Sequence, residues 1–384
     1  QQFGSIIKLN TTRTGDVMEI TYSFRLYPAS EQEAILLSWL DLCRKLYNVA
    51  LEERQTVWKT ENRSIGYRDQ QNKLPAFKKD NPEYKSIHSQ VLQDVVRRVD
   101  AAYKNFFEKR AGYPRFKSKG RFTSITYPQV DKVSKTFSQL DKGYIYLPRI
   151  GYVKVRIHRK FDNTRIGRIN VKLKNNDWYV NITCEVPEGN PCQLLSAKSI
   201  GIDLGITALV ATSDGEIIDN PHYLKKKEKY LKRVQRCLSR KQLSSENRQK
   251  DKQKLSKLHQ KVSNQRRDFL HKTSSALVNP NDIVIAEDLI IKNMARNKRL
   301  SKSIYDASWG KLLTYIEYKS KRQGKRFIKI PAGGTSQTCI CGASVPKDLS
   351  VRVHTCPKCG YTGDRDIVSA KVIEMRGLQL IAAA

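Results

Sequence analysis

Residues 199–206 read SIGIDLGI, and this stretch decides how the second half of the chain folds. It is an apolar strand that ends on Asp203, followed by Leu204 and Gly205. TALVATSD (207–214) and EIID (216–219) read as two further strands in succession, so a new pattern begins near residue 198. Further on, DIVIAEDL (282–289) is a buried strand in type and ends on Glu287. An amphipathic helix around 307–322 and the strand RFIKIP (326–331) follow. The helix IVSAKVIEM (367–375) closes the fold, with Asp366 at its N-terminal edge after Gly363-Asp364-Arg365.

Asp203, Glu287 and Asp366 thus sit at the ends of rigid elements. Two-metal hydrolysis of a phosphodiester needs several carboxylates converging on sites about 4 Å apart. Mg²⁺ takes one or two carboxylates plus waters and phosphate oxygens, so a sparse acidic set suffices. Each acid alone is a weak signal, since an Asp after an apolar strand is more often a turn former or a helix cap. Asp288 beside Glu287 and Asp364 beside Asp366 compete for the same role. The order strand-Asp, long insert, strand-Glu, cysteine-rich insert, Asp-helix makes the set specific.

The charge of the chain names the polymer. Lys and Arg number 71 against 37 Asp and Glu, a net charge of +34. Such an excess repels itself and needs a polyanion, for which nucleic acid is the first candidate and a membrane surface the second. The basic residues are spread through the whole chain, which disfavours the membrane. No stretch approaches the roughly 18 apolar residues of a membrane span, and no charged-then-apolar leader opens the chain. A soluble, cytoplasmic protein is expected.

Between Lys225 and Asp268 there are 17 Lys plus Arg against 4 Asp plus Glu. Leu231, Val234 and Leu238, then Leu255, Leu258 and Val262, supply a helical seam, with SSEN (244–247) as the bend. Two long antiparallel helices with basic outer faces are expected over 224–277. A solvated hairpin usually mixes both signs of charge, so a phosphate-tracking element is favoured over an unliganded one.

The first half is different. MEITYSFRLY (18–27) alternates as a half-buried strand, and Ser30 with Glu33 makes a capping-box pattern for the helix that follows. In HSQVLQDVVRRVDAAYKNFF (88–107), Val91, Val95, Val99, Tyr103 and Phe106 fall on one helical face, with Gln90, Gln93, Arg97, Arg98 and Lys104 opposite. Next comes a basic loop in which Tyr113, Phe116, Phe122 and Tyr127 interleave with Arg115, Lys117, Lys119 and Arg121. Aromatic rings stack on bases while cations hold phosphates; a solvated loop pinned by core aromatics fits the pattern equally well. YIYLPRIGYVKVRIHR (144–159) alternates, and RINVKL and WYVNITCEV flank the turn Asn175-Asn176-Asp177. The first part therefore reads as a small β barrel (18–29 and 111–197) interrupted by a helical insertion (30–110). Residues 1–17 read as an extension or tag.

Of the eight cysteines, Cys43, Cys184, Cys192 and Cys237 are scattered. Cys339-Ile-Cys341, 14 residues, then Cys356-Pro-Lys-Cys359-Gly crowd into one insertion at 333–360. Four thiolates make a closed, structural Zn²⁺ site. The second pair has the usual CxxC spacing. The first is CxC, one residue short, which is expected to strain its turn, and His354 is close enough to stand in as a ligand.

YSFRLYPASEQEAIL, HSQVLQDVVRRVDAAYKNFF, GYPRFKS, IGIDLGI, NQRRDFLHK, AEDL, DASWGKL, TSQTC, VRVHTCPKCG and DRD occur in this order over residues 18–378. As a set they resemble the TnpB family, insertion-sequence-encoded RNA-guided nucleases related to the type V CRISPR effectors. The resemblance implies a multidomain α+β protein. A β-barrel wedge domain with a helical recognition insertion precedes an RNase H-like (RuvC) nuclease domain over 198–332 and 361–384, into which a zinc knuckle is inserted. It implies catalysis by Asp203, Glu287 and Asp366 with two Mg²⁺ (or Mn²⁺) ions, a guide RNA derived from the element's own end, and cutting of double- and single-stranded DNA beside a short motif. Tyr47, Gln90 and Gln93 are candidates for reading that motif, because Gln pairs bidentately with adenine. Arg115, Lys117, Lys119, Arg266 and Arg267 are candidates for nucleic-acid contacts. A monomer is expected. After DRD the family usually carries an Asn before a small pair, where this chain has Ile367-Val368-Ser369-Ala370. That departure and the short CxC leave room for a binding-only protein that represses transcription; a strand-transfer transposase is the third reading.

Overall fold

The computed structural model describes residues 17–130, 135–137, 139–159, 165–189, 197–348 and 350–383. Cys192 and residues 1–16 of the expected extension lie outside them. The chain divides into two compact units, Val17–Val186 and Pro187–Ala384. The junction falls before the expected 197/198 boundary. The backbone of Gly189 packs on the turn after residue 322, where its N–H donates to Lys321 O at 3.1 Å and a Cβ would lie 2.3 Å from Gly324 N.

The first unit opens with strand β1 (Val17–Tyr27), whose Met18, Tyr22, Phe24 and Leu26 are buried at even positions. Helices α1 (Ser30–Glu61), α2 (Tyr67–Asp80) and α3 (Ser89–Phe107) come next. Strands β2 (Ser124–Tyr127), β3 (Tyr144–Leu147), β4 (Gly151–Arg156), β5 (Arg165–Lys174) and β6 (Asp177–Pro187) complete it. The sheet order is β2-β5-β6-β1-β4-β3. The helices therefore interrupt one sheet, as the sequence suggests. Among the described residues the sheet stays open between β2 and β3, a half-barrel where a barrel was expected. Both end strands are four residues long, which leaves little backbone to pair across the gap. Asn175 and Asn176 both adopt positive φ (53° and 65°), the conformation of a tight two-residue hairpin turn. The capping box is displaced by one residue. Gln32 Oε1 accepts from Ala29 N at 3.1 Å, while Glu33 accepts from Trp178 Nε1 at 3.0 Å and so anchors α1 to β6.

The second unit carries β7 (Ser199–Leu204), β8 (Ala208–Thr212), β9 (Ile217–Asp219), α4 (Tyr223–Ser239), α5 (Glu246–Val278), β10 (Ile283–Asp288), α6 (Ile291–Met294), α7 (Ser301–Ala307), α8 (Trp309–Arg322), β11 (Arg326–Pro331), β12 (Val353–Thr355), β13 (Thr362–Asp364) and α9 (Arg365–Ala382). Its main sheet runs β11-β10-β7-β8-β9. β7, β10 and β11 are mutually parallel, and β8 is antiparallel to both β7 and β9. Helices cover both faces. Ile200, Ile202, Val284 and Ala286 pack with Leu270 and Leu277 of α5 and Leu312 and Ile316 of α8. Ile283 and Ile285 face the other way, onto Ile373 of α9. α9 lies very close there. A Cβ on Gly201 would sit 2.1 Å from Ala370 O, and one on Gly377 would sit 2.5 Å from Ile285 Cγ2. α4 and α5 form the expected hairpin, with Ser245 capping α5 by accepting from Arg248 N at 3.2 Å.

Candidate active site and metal centre

Strand alternation places the acids. On β7, Ile200 and Ile202 point to α5 and α8, so Ser199, Gly201 and Asp203 point to α9. Ser199 Oγ indeed meets Glu374 Oε1 of α9 at 2.5 Å. On β10, Ile283 and Ile285 face α9, and Glu287 continues that row. Ile202 and Ala286 pair in the parallel ladder, so Asp203 and Glu287 lie one step beyond, side by side at the carboxyl ends of adjacent strands. Asp366 is the second residue of α9, on the same face. Asp288 takes the opposite face by the same alternation, exposed and 3.8 Å from Lys329 Nζ.

Asp203 senses the other two carboxylates. Burial first, then Glu287 and Asp366, push Asp203 up to about 7; the N–H of Leu204 and the charge of Arg365 only partly offset this. Each of the other two is held by a neighbour. Thr335 Oγ1, from the short turn after β11, donates to Glu287 Oε1. Arg365 reaches Asp366 Oδ1 through Nε (3.0 Å) and Nη2 (2.8 Å), and Arg352 Nη1 lies 3.5 Å from Oδ2. Asp364 is the cap of α9, accepting from the backbone N–H of Asp366 (2.8 Å) and Ile367 (3.3 Å). It fixes the start of the helix, while the carboxylate of Asp366 takes no part in the cap. Sequence reasoning assigned no role to Thr335 or Arg365; both lie in segments quoted above, TSQTC and DRD, where hydroxyl and guanidinium carry no periodic signal. The carboxylates of Asp203, Glu287 and Asp366 are oxygen donors of the kind that a hard divalent cation such as Mg²⁺ or Mn²⁺ takes, and the charges of the last two reach Asp203.

Among the described residues, Cys339, Cys341, Cys356 and Cys359 have ligand atoms all within 4.8 Å of one another. Cys356 is drawn down to about 6, chiefly by the backbone N–H of Cys359 and also by that of Lys358. Cys359 is pushed the other way, up to about 12, and Cys339 is also raised, so the closed set of four sulfurs, and not the acidity of one of them, is what suits Zn²⁺. The short CxC turn is not strained. In the CxxC turn Gly360 N donates to Cys356 O and Cys356 N to Tyr361 O, each at 2.9 Å. In the CxC turn Gly342 N donates to Cys339 O and Cys339 N to Ala343 O, again at 2.9 Å. The same pair of bonds is made with one residue fewer, and in both turns the glycine after the second cysteine takes the positive φ (82° and 72°). His354 is buried with its Nδ1 against Lys347 Nζ and stands outside the four-cysteine set. Arg365 ties this insertion to the acids: its N–H donates to Arg352 O (2.8 Å) and its Nη1 to Val351 O (3.1 Å). Purified protein should therefore carry about one Zn²⁺ per chain, and Cys356→Ser should lose it and lower the melting temperature. Elemental analysis finding no zinc in folded protein removes this site.

The expected nucleic-acid contacts divide. Tyr47 is 3% exposed, a core ring near Phe122, with Lys117 Nζ 5.3 Å above it; it is no surface reader. Gln90 and Gln93 are half-buried on α3, and Gln90 Nε2 meets Gln129 Oε1 at 3.3 Å. Arg115 and Lys119 are exposed, while Lys117 is half-buried with its backbone bonded to Asn48. Of the four loop aromatics, Phe122 and Tyr127 belong to the core, and Tyr113 and Phe116 are about half exposed. Both readings of that loop are thus partly realised. Arg266 is engaged in the fold: its Nη2 pairs with the buried Asp306 at 2.7 Å. Asp306 also accepts from Leu224 N (3.2 Å) and Lys225 N (3.4 Å), the first turn of α4. Arg267 is exposed.

Comparison with known proteins agrees with these segments. Residues 181–298 match the OrfB_IS605 family model, described as "Probable transposase". Residues 309–373 match a "Cas12f1-like, TNB domain". Residues 18–63 match a "Helix-turn-helix domain", although here that range folds as β1 and the single long helix α1. "Putative RNA-guided DNA endonuclease InsQ" of Escherichia coli (strain K12) is 32% identical over 380 residues, covering 94% of this chain and 93% of that protein. A "Putative RNA-guided DNA endonuclease" of Streptomyces pristinaespiralis is 33% identical over 371 residues, covering 93% and 89%. Among solved structures, a Cas12f1–sgRNA–target DNA complex is 16% identical with TM-score 0.35, covering 93% of this chain and 98% of that one. CRISPR-Cas_phi3 is 11% identical with TM-score 0.46, covering 93% and 92%. The chain belongs to the OrfB_IS605, or TnpB, family. No helix among the described residues is long and apolar enough to cross a membrane.

Proposed function

We propose that the chain is an RNA-guided DNA endonuclease of a transposable element, acting as a monomer in the prokaryotic cytoplasm. It hydrolyses phosphodiester bonds at Asp203, Glu287 and Asp366. The carrying observation is the meeting of these three acids on one face, at the ends of β7 and β10 and the start of α9, with Asp203 raised to about 7 by burial and by the other two. Numbered from β7, the sheet order is third-second-first-fourth-fifth with the second strand antiparallel, which supports an RNase H-like reading. The names of the two relatives support guidance by RNA and action on DNA. The names of the two relatives favour an endonuclease over the binding-only alternative.

Bound divalent ions would supply Lewis-acid stabilisation of the charge that develops on the phosphate. The chain's own residues arrange that site. Asp203 and Glu287 are held on rigid strands, Thr335 fixes the orientation of Glu287, and Asp364 and Arg365 fix Asp366. Gln90 and Gln93 are the proposed readers of the adjacent DNA motif, and Arg115, Lys117, Lys119 and Arg267 proposed contacts to phosphates.

Asp203 gives the site a pH dependence. Its carboxyl is raised above the ordinary value near 3.8 to about 7, so the metal-free fold prefers it protonated. Ionising it by raising the pH through 7 destabilises the metal-free fold, and a cation must displace the proton below that pH. The Mg²⁺ affinity, read by titration calorimetry, should rise up to about tenfold per pH unit between pH 5 and 7 and level off above. A flat profile, or one unchanged in Asp203→Asn, contradicts this. The reading as a whole is tested by sequencing RNA that copurifies with the protein. A discrete RNA carrying a variable end is expected; its absence from active protein removes guidance.

A further inference from the structure

The α4–α5 hairpin holds a cleft of about 470 Å³ that the proposed chemistry does not use. Its apolar lining is the ring of Tyr230 and the side chain of Leu258. Its rim is Lys250, Lys254, Lys257 and Lys261. These four recur at spacings of four, three and four on α5, one face of the helix. None forms an ion pair among the described residues, whereas Lys232, Lys241 and Lys272 on the same hairpin do. Like charges one turn apart destabilise an isolated helix, so a row of four without an acid is a feature that a polyanion would relieve. Arg233 lies 5.0 Å from the centroid of the Tyr230 ring, which holds the ring in place on α4. An adjoining pocket of about 230 Å³ shares Tyr230, Leu258 and Lys261 and adds Lys227 and Val262.

We infer that this cleft is a binding site for single-stranded RNA: an unstacked base enters against Tyr230 and Leu258, and the lysine row holds the flanking phosphates. This rests on the reading of the chain as an RNA-guided protein. The class of ligand follows from the lining. Lysines alone would suit any polyanion, but an aromatic ring beside an aliphatic side chain on an open groove suits a flat apolar face. A duplex keeps its base faces stacked and offers only phosphates, so it cannot use Tyr230. The choice of RNA over the DNA being cut follows from the topology. The C-terminal half of α5 packs with α8 on one face of the main sheet, while the three carboxylates and α9 lie on the other. A strand seated in the hairpin cleft is thus rooted on the side of the sheet away from the acids, which suits a scaffold RNA.

The test uses the whole chain, freed of RNA at high salt, with a short fluorescent oligouridine, an oligothymidine and a DNA duplex of equal length. Tyr230→Ala should weaken oligouridine binding about tenfold or more, the scale of one base–aromatic stack, and leave duplex binding unchanged. Tyr230→Phe should bind as wild type. Replacing Lys254 and Lys257 together by Gln should reduce the slope of log affinity against log salt by about one to two. Ultraviolet crosslinking of oligouridine should label the peptide that contains Tyr230. Wild-type oligouridine affinity in Tyr230→Ala, equal losses for oligouridine and duplex, or crosslinks only elsewhere would overturn the assignment. Tighter binding of oligothymidine than oligouridine would give the cleft to displaced DNA and overturn the choice of RNA. Should Tyr230→Ala fail to fold, the lysine variant and the crosslink decide. If oligouridine binding depends on Tyr230 but cutting never follows a guide, the cleft stands and the guided reading falls.

Discussion

Asp203→Ala and Glu287→Ala should each reduce DNA cleavage by about a thousandfold or more while leaving nucleic-acid binding near wild type. Deleting a charge-stabilising group at a preorganised site typically costs a factor of about 10² to 10³, and a carboxylate that holds metal also controls how many ions are present. Binding should survive because removing an acid lessens the negative charge facing phosphates in a chain of net charge +34. The structure adds a ranking. Asp366→Ala should match the first two. Asp364→Ala should fall less, since Asp364 holds Asp366 only through the helix cap, and losing a cap costs about 1 kcal/mol. Thr335→Val should also be intermediate, because it frees Glu287 without removing it. The measurement is single-turnover cutting of a plasmid in Mg²⁺ beside a filter-binding curve for the same substrate. Strand cutting retained by Asp203→Ala protein would dissolve the proposed site; equal losses in cutting and binding would mean that the variant had unfolded.

The legibility of this site in the sequence has a physical basis. Asp203 and Glu287 stand at the ends of apolar runs whose period reports burial directly, so strand, face and terminal acid are all written locally. Asp364 against Asp366 could not be settled that way. Both stand at the start of the same helix, and only the bonds from the Asp364 carboxylate to the backbone of residues 366 and 367 separate the cap from the arginine-paired carboxylate of Asp366. The pairing of Arg266 is hidden for a related reason: in a run of basic residues its charge gives no sign of the buried Asp306, 40 residues away, that it meets. Tyr47 lies on a helix whose buried side is broad, running from Leu36 to Arg54, so a tyrosine there has no periodic mark of facing out. The expected barrel depended on the pairing of its two shortest strands, and alternation within a strand says nothing about whether a sheet closes. The CxC turn was expected to be strained because spacing was counted along the chain; the shared bonding pattern and the positive-φ glycine are properties of the backbone.

Cutting should follow the sequence of a bound RNA, switching from undetectable at a mismatched site to complete at a matched one. Three features lead to this expectation. First, a net charge of +34 exceeds what one duplex footprint needs, since a protein making 6 to 10 phosphate contacts already binds DNA with steep salt dependence. Second, the basic segments lie in separate units: the exposed Arg115 and Lys119 beside Tyr113 and Phe116 in Val17–Val186, and the lysine row of α5 in Pro187–Ala384. Two units with their own cationic surfaces suit two nucleic-acid partners. Third, the side chains bonded to Glu287 and Asp366 are Thr335, Arg352 and Arg365, whose bonds described above go to carboxylates and backbone. Specificity has to be supplied from elsewhere, and pairing to a guide supplies it while the protein holds backbone and shape. The decisive experiment presents the protein, in Mg²⁺, with one plasmid that carries two targets and with either of two RNAs that differ only in the guide segment. The linear product should map to the target that matches the RNA supplied, and Asp203→Ala should abolish both products. Equal cutting of both targets with either RNA, or cutting without RNA, would make the chain an unguided nuclease with the same three carboxylates.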